Sequence, residues 1–282
     1  MLSEAMWIAS AGLAAGLLGG LLGVGGSVIL IPALTALLGP EQHLYQAAAM
    51  AANVAVALPA AHRHHAAGVA RRDVLRWMLP AAGVAVLAGV AASNVFEGDT
   101  AERWLKRLFA IMLVYVIAVN VRKLVTSEER EAGSEADTCE GEERAKDATP
   151  HASVPASRSS LLGVIMGFVA GLLGIGGGAI AVPLQQVALR LPLRSCIANS
   201  SIIIVFSAAI GATFKIATLG RHGLVFTDAL LLAALLAPTA LLGGRLGASL
   251  THRLPLKWVR IAFIGLMIAA AWEMAAPPPV GP

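Results

Sequence analysis

Two short blocks hold the residues best suited to chemistry: Gly23-Val-Gly-Gly-Ser27 and Gly174-Ile-Gly-Gly-Gly178, each inside an otherwise apolar stretch. Clustered glycines free backbone N–H groups, and a helix that starts just after them aims those groups and its positive dipole end at a bound anion. Two soluble versions of this chemistry do not fit. A P-loop requires Lys-Ser/Thr after its last glycine, where this chain has Ser27-Val28 and Gly178-Ala179. A dinucleotide fingerprint requires a βαβ unit, which segments this long and apolar do not offer. Each glycine costs a helix about 1 kcal/mol relative to alanine, so the clusters predict helix breaks, with half-helices resuming near Ser27 and Gly178. A helix terminus contributes only about 0.3–2 kcal/mol, against an idealised desolvation cost of order 20 kcal/mol for a small ion. Further donors, or a wet cavity, are therefore required. Asn53 and Asn199, in the segment after each block, are the candidates, with Ser200 and Ser201 beside the latter. Hydrogen bonding between helices is the alternative role for two asparagines in such segments.

The elements that must position these residues follow from composition. Charged residues make up 13% of the 282 positions and hydrophobic ones 57%, with a mean hydropathy of +0.75. Such a chain is expected to be an all-α integral membrane protein. Apolar segments fall at about 5–38, 45–61, 74–95, 104–121, 160–189, 196–219, 224–250 and 256–276, eight in all. Lipid supplies no partner for free backbone groups, so these must be helices, and the alternation of a β-barrel is absent. The net charge of +4 is not a nucleic-acid signal. Residues 126–150 hold nine acids against three bases, and the other bases are spread over short connections, as membrane-flanking charges are. Only 5% of residues are aromatic, whereas a nucleic-acid surface would interleave aromatics with a basic stripe. Cys139 and Cys196 cannot be assigned as a pair. The first residues lack the positive n-region of a secretory signal, so the first apolar segment is expected to be retained.

The chain carries an internal duplication. Shifted by 151 residues, Gly20–Pro32 lies over Gly171–Pro183 with eight identities in thirteen, and Gly12 and Gly16 meet Gly163 and Gly167. The expected domains are a first transmembrane repeat at 1–121, a charged, disordered linker at 122–159, a second repeat at 160–276 and a Pro-rich tail at 277–282. Each repeat has four segments and a glycine-broken first helix. Broken helices at matching places in two halves are the best sequence pointer to a transporter's substrate site. If the first and fifth segments enter and leave on the same face, the 21 Lys and Arg divide 16 to 5 between the two sides. If all eight cross, they divide 12 to 9. Positive-inside bias therefore favours inverted repeats with both termini outside.

Other residues carry blander expectations. Glycines four apart (Gly12, Gly16, Gly20; Gly163, Gly167, Gly171) have the spacing for close helix packing in lipid. His62-Arg63-His64-His65 reads as the solvated end of the second segment rather than a metal site, since neighbouring histidines on a helix diverge, with proton coupling as the lesser reading. Neither a metal nor a cofactor is expected. Lys215 and Arg245 are expected to snorkel to the interface, with contact to an anion as the lesser reading, and Trp7, Trp77, Trp104, Trp258 and Trp272 to anchor segment ends.

The Gly-Leu-Leu-Gly-Val-Gly-Gly block ending at Pro32, its echo from Gly171 to Pro183, and the Asn-centred stretches after each resemble the TauE/SafE family of sulfite exporters and related anion permeases. The resemblance covers nearly the whole chain except the linker. It implies a multi-pass plasma-membrane permease for sulfite, a sulfonate or another small organic acid, driven by a proton gradient, with the bilayer, the anion and protons as its partners. Gly23, Gly25, Gly26, Gly174, Gly176, Gly177, Pro32, Pro183, Asn53 and Asn199 carry over by position; Ser27 and Gly178 join them on the half-helix argument, and Ser200 as a further donor beside Asn199. The family often has Thr-Ser where this chain has Asn53-Val54 and Asn199-Ser200, so the first half lacks a hydroxyl donor there. A passive anion channel is the alternative. An intramembrane enzyme is disfavoured, because neither a Gly-x-Ser-Gly nor a His-Glu-x-x-His motif is present.

Overall fold

The computed structural model describes residues 2–22, 24–39, 41–66, 68–96, 99–133, 154–250 and 256–275. Gly23, residues 134–153 of the expected linker and the tail at 277–282 lie outside the described residues. The regular elements among the described residues are all helices: α1 Leu2–Leu22, α2 Ser27–Leu38, α3 Gln42–Ala66, α4 Arg72–Asn94, α5 Asp99–Gly133, α6 Ala156–Leu173, α7 Gly178–Ala188, α8 Leu193–Thr218, α9 Phe226–Leu250 and α10 Leu256–Ala275. A 3-10 turn, Leu219–His222, follows α8. Among the described residues, six helices are long and apolar enough to cross a bilayer. The 38-residue stretch read as linker is entered from both sides by helix, since α5 continues to Gly133 and α6 opens at Ala156.

The first and fifth apolar segments are each two helices. Residues 23–26 separate α1 from α2, and Gly174–Gly177 separate α6 from α7. The second break shows its mechanism. Gly174 adopts left-handed φ +72°, and the Ile175 N–H turns back to the Ala170 carbonyl at 3.2 Å. That is a glycine C-terminal stop, which satisfies a carbonyl the helix would otherwise leave open. Pro32 and Pro183 lie inside the short helices α2 and α7 that resume.

Helix packing depends on glycine. A Cβ at Gly12 would meet Thr239 and Leu236, at Gly16 the Ala240 carbonyl, and at Gly20 the backbone of Gly244. On the other helix pair, Gly163, Gly167 and Gly171 lie against the backbone of Met78, Ala82 and Val86. The bilayer gives apolar helices no hydrophobic reason to associate, so backbone-to-backbone contact of this kind supplies the van der Waals gain. Both pairings ascend together in residue number, so α1 runs parallel to α9 and α4 parallel to α6. Helices α3 and α8 run the other way: Ala57 packs with Ile204 and Ala208, Met50 with Ala212, and Ala47 with Leu219. Around this centre, α2 buries Ile29, Leu30, Ile31 and Leu34 in a cluster with Phe109 and Leu113 of α5 and Met267 of α10.

Candidate functional site

The two breaks meet. A Cβ on Gly178 would overlap the Val24 carbonyl, so the start of α7 is pressed against the turn that precedes α2. Between them stands Asn53, in the middle of α3 and fully buried. Its Oδ1 accepts the Gly26 N–H at 2.7 Å and the Ser27 N–H at 3.0 Å. Its Nδ2 donates to the Ile175 carbonyl of the other break at 3.0 Å. One amide thus caps α2 and ties both breaks together. That use suits asparagine, which offers acceptor and donor on one planar group. Gly25, at φ +86°, makes the reversal that turns the Gly26 and Ser27 amides toward Asn53.

Hydroxyls complete this level. Ser27 Oγ donates to the Ala49 carbonyl at 3.0 Å, and Ser207 Oγ of α8 lies 3.0 Å from the Gly176 carbonyl and 2.7 Å from that of Ile203. A Cβ at Gly176 would come within 2.7 Å of Asn53 Nδ2, so the break and the asparagine are in contact. Gly25, Gly26, Ser27, Asn53, Gly176 and Gly178 are therefore gathered in one place, while Gly174 packs on Gln46 of α3 and Gly177 on α6 at Ala170.

Asn199 is placed elsewhere. Its Oδ1 accepts the backbone N–H of Arg71 at the head of α4 at 2.9 Å, and its Nδ2 donates to Gln185 Oε1 of α7 at 3.1 Å. Ser200, beside it, is buried. The glycine blocks are 151 residues apart but the asparagines only 146, so Asn199 lies five residues nearer its helix start than the counterpart of Asn53, roughly 7 Å along the axis. Gln185 Nε2 is buried without a partner among the described residues, a spare donor at this level. Arg71 itself forms a forked pair with Asp73 at 2.6 and 2.8 Å, which raises the guanidinium's pKa above its ordinary value.

A third polar level was missed by sequence reasoning and overturns one expectation. Lys215 does not snorkel: it is 1% exposed. Its Nζ lies 2.7 Å from His43 Nδ1 of α3 and 2.9 Å from both Ser93 Oγ and Asn94 Oδ1 of α4. His222 stacks on His43 at 3.8 Å between ring centroids. The signal available in the sequence was polar residues at the ends of three apolar segments; that they converge is a tertiary fact. Asn199, Ser207 and Lys215 recur every eight residues, so α8 carries a polar station roughly every 12 Å. Among the described residues no group of three His, Cys, Asp or Glu is gathered as a metal would require.

Broken helices packed at the centre of a helical bundle, with polar side chains at successive depths, are the arrangement in which secondary transporters build their substrate sites. The family model for the sulfite exporter TauE/SafE matches residues 8–274, and the chain belongs to that family. It is 31% identical over 274 residues to the probable membrane transporter protein MamO of Magnetospirillum gryphiswaldense, and 29% identical over 274 residues to its namesake in Paramagnetospirillum magneticum. Each alignment covers 93% of this chain but 43% of the MamO protein, so the chain spans less than half the length of those relatives. A probable membrane transporter protein of Haemophilus influenzae is 26% identical over 278 residues, covering 93% of this chain and 95% of that one. No solved structure matches significantly. The chain is thus a member of the TauE/SafE family with several helices long and apolar enough to cross a bilayer.

Proposed function

We propose that this chain is a secondary carrier that moves a small anion (sulfite, a sulfonate or an organic acid) across the plasma membrane, coupled to protons. The observation that carries the reading is the meeting of two helix breaks at Asn53, because the amides capped by Asn53 Oδ1 are those an anion oxygen would use. In this state the side-chain carbonyl holds the place. An entering anion exchanges with it and gains donors from Ser27 and Asn53 Nδ2. Gly25, Gly26, Gly174, Gly176, Gly177 and Gly178 shape the two turns, and Asn199 and Ser200 form a second station on α8.

Alternating access then follows from two inverted repeats, 1–121 and 160–276, joined by the segment 122–159. Two packing relations and a charge count support inversion. The matching helices α3 and α8 are antiparallel, which a two-fold axis in the membrane plane requires. Helices α1 and α6 hold equivalent places, each parallel to a helix of the other repeat. Three full crossings per half also give the 16-to-5 division of Lys and Arg. A passive channel would share this frame but could not accumulate its ion.

The test is flux of labelled sulfite into proteoliposomes, with sulfonates and carboxylates as competitors, with and without an imposed pH gradient. Accumulation above equilibrium that collapses with the gradient is expected. Flux that only equilibrates returns the channel reading, and no flux for any anion overturns the assignment.

A further inference from the structure

The hydrogen-bond polarity around Lys215 is fixed by backbone carbonyls, which only accept. His43 Nε2 faces the Phe96 carbonyl at 2.9 Å, so Nε2 carries the proton and Nδ1 is left to accept from Lys215. Ser93 Oγ donates to Gln46 Oε1 at 3.1 Å, and Gln46 Nε2 donates to the Leu172 carbonyl at 3.3 Å, so Ser93 also accepts from Lys215. Asn94 Nδ2 donates to Thr218 Oγ1 at 2.9 Å, and Thr218 in turn to the Phe214 carbonyl, which leaves Asn94 Oδ1 as the third acceptor. All three chains run outward from Nζ. The site is built for an ammonium with all three hydrogens engaged.

Every one of those acceptors is neutral, and among the described residues no carboxylate reaches Lys215. A buried charge held by neutral groups alone is costly, and a methionine or glutamine would fill the space with less desolvation. A structural knot therefore does not explain the lysine, whereas a mobile counter-ion does. The cage is also wired to the substrate level: Gln46 bonds the last carbonyl region of α6, and its side chain packs against Gly174 of the second break.

We propose that Lys215 is the fixed countercharge of an oxyanion subsite at the end of α8, one that a sulfite, sulfonate or carboxylate group occupies on its way to or from the glycine breaks. The proposal rests on the reading of the protein as an anion transporter. The chamber is closed to solvent here, so occupancy accompanies a rearrangement of α3, α4 and α8 in which an oxyanion oxygen replaces one neutral acceptor.

The test uses the purified full chain, 15N-labelled at lysine, titrated with sulfite, methanesulfonate and the uncharged isostere dimethyl sulfone. The Lys215 Nζ resonance, assigned by its loss in Lys215→Gln, is expected to move with both anions and not with the sulfone. Lys215→Gln keeps hydrogen-bond donors but not the charge, and should raise half-saturation by sulfite at least about tenfold, with Lys215→Arg intermediate. If wild type binds sulfite while the resonance stays still, or Lys215→Gln binds equally well, the subsite is overturned and the transporter reading survives. If wild type binds no anion, both fall. Should Lys215→Gln not fold, the wild-type resonance, assigned through its perturbation by Ser93→Ala, decides alone.

Discussion

Asn53 makes three hydrogen bonds with one amide, two to the start of α2 and one to the turn before α7. Asn53→Ala leaves two buried N–H groups without acceptors, which should lower stability by about 1–3 kcal/mol per orphaned group, read as a fall in the thermal unfolding midpoint in detergent. Asn53→Asp keeps the acceptor for α2 but turns the donor to Ile175 into a second acceptor. It also places a negative charge where an anion must pass, so sulfite flux should be abolished while the folded yield stays above that of Asn53→Ala. An amide inside an apolar run is conspicuous in a sequence, which is why Asn53 was legible. Asn199 was legible as a polar position but not in its partners, because the pairing rested on residue type while the helix axis counts residues. Lys215 was misread for a related reason: hydropathy shows that a lysine lies in an apolar run, not whether its neighbours in space are lipid or a ring of oxygens and imidazole.

At the level of elements, glycines serve two purposes that mutation should separate. Gly25→Leu imposes a side chain on a left-handed turn at φ +86° beside Asn53, and Gly176→Leu drives one into Asn53 itself. Each should cut flux severely without preventing membrane insertion; full activity in both would remove the breaks from the site. Gly16→Val and Gly167→Val act instead on helix packing, since their Cβ atoms would overlap the carbonyls of Ala240 and Ala82. Overpacking costs about 1–3 kcal/mol or more, so a reduced monodisperse peak in size-exclusion chromatography is expected for both, of similar size because the two interfaces are alike. The breaks were readable because clustered glycine contradicts helix propensity locally. The four-residue stripe announced a close contact but not its partner; the structure shows α9 answering with Gly243 and Gly247, themselves four apart, against Leu13 and Leu17, and α4 with Gly89 against Phe168.

For the whole molecule, the parallel pairs α1 with α9 and α4 with α6 mean that each half of the chain completes the other. The proposed inversion sets residue 3 and the segment around Cys139 on opposite sides of the membrane. A membrane-impermeant maleimide added outside should therefore label a cysteine introduced at Ser3 in a Cys139→Ser background, while Cys139 in the unaltered chain reacts only after permeabilisation. The reverse pattern would invert the orientation, and labelling of both from one side would end the inverted-repeat reading. Composition made the all-helical membrane class legible, and the doubled glycine block marked where both helix breaks fall. The interlacing was not legible, because a glycine stripe in one half does not name its partner in the other.

That interlacing has a consequence in time. The glycine stripe of α1 can be covered only after α9 is made, and Gly16 and Gly243 are separated by 227 residues. At ribosomal speeds of about 5–20 residues per second, α1 waits roughly 10 to 45 s for its partner. Throughout that interval the nascent first half lies in the bilayer with a bare backbone groove, open to the insertion machinery or to a neighbouring copy. Slowed synthesis between α1 and α9 should therefore favour swapped dimers over monomers.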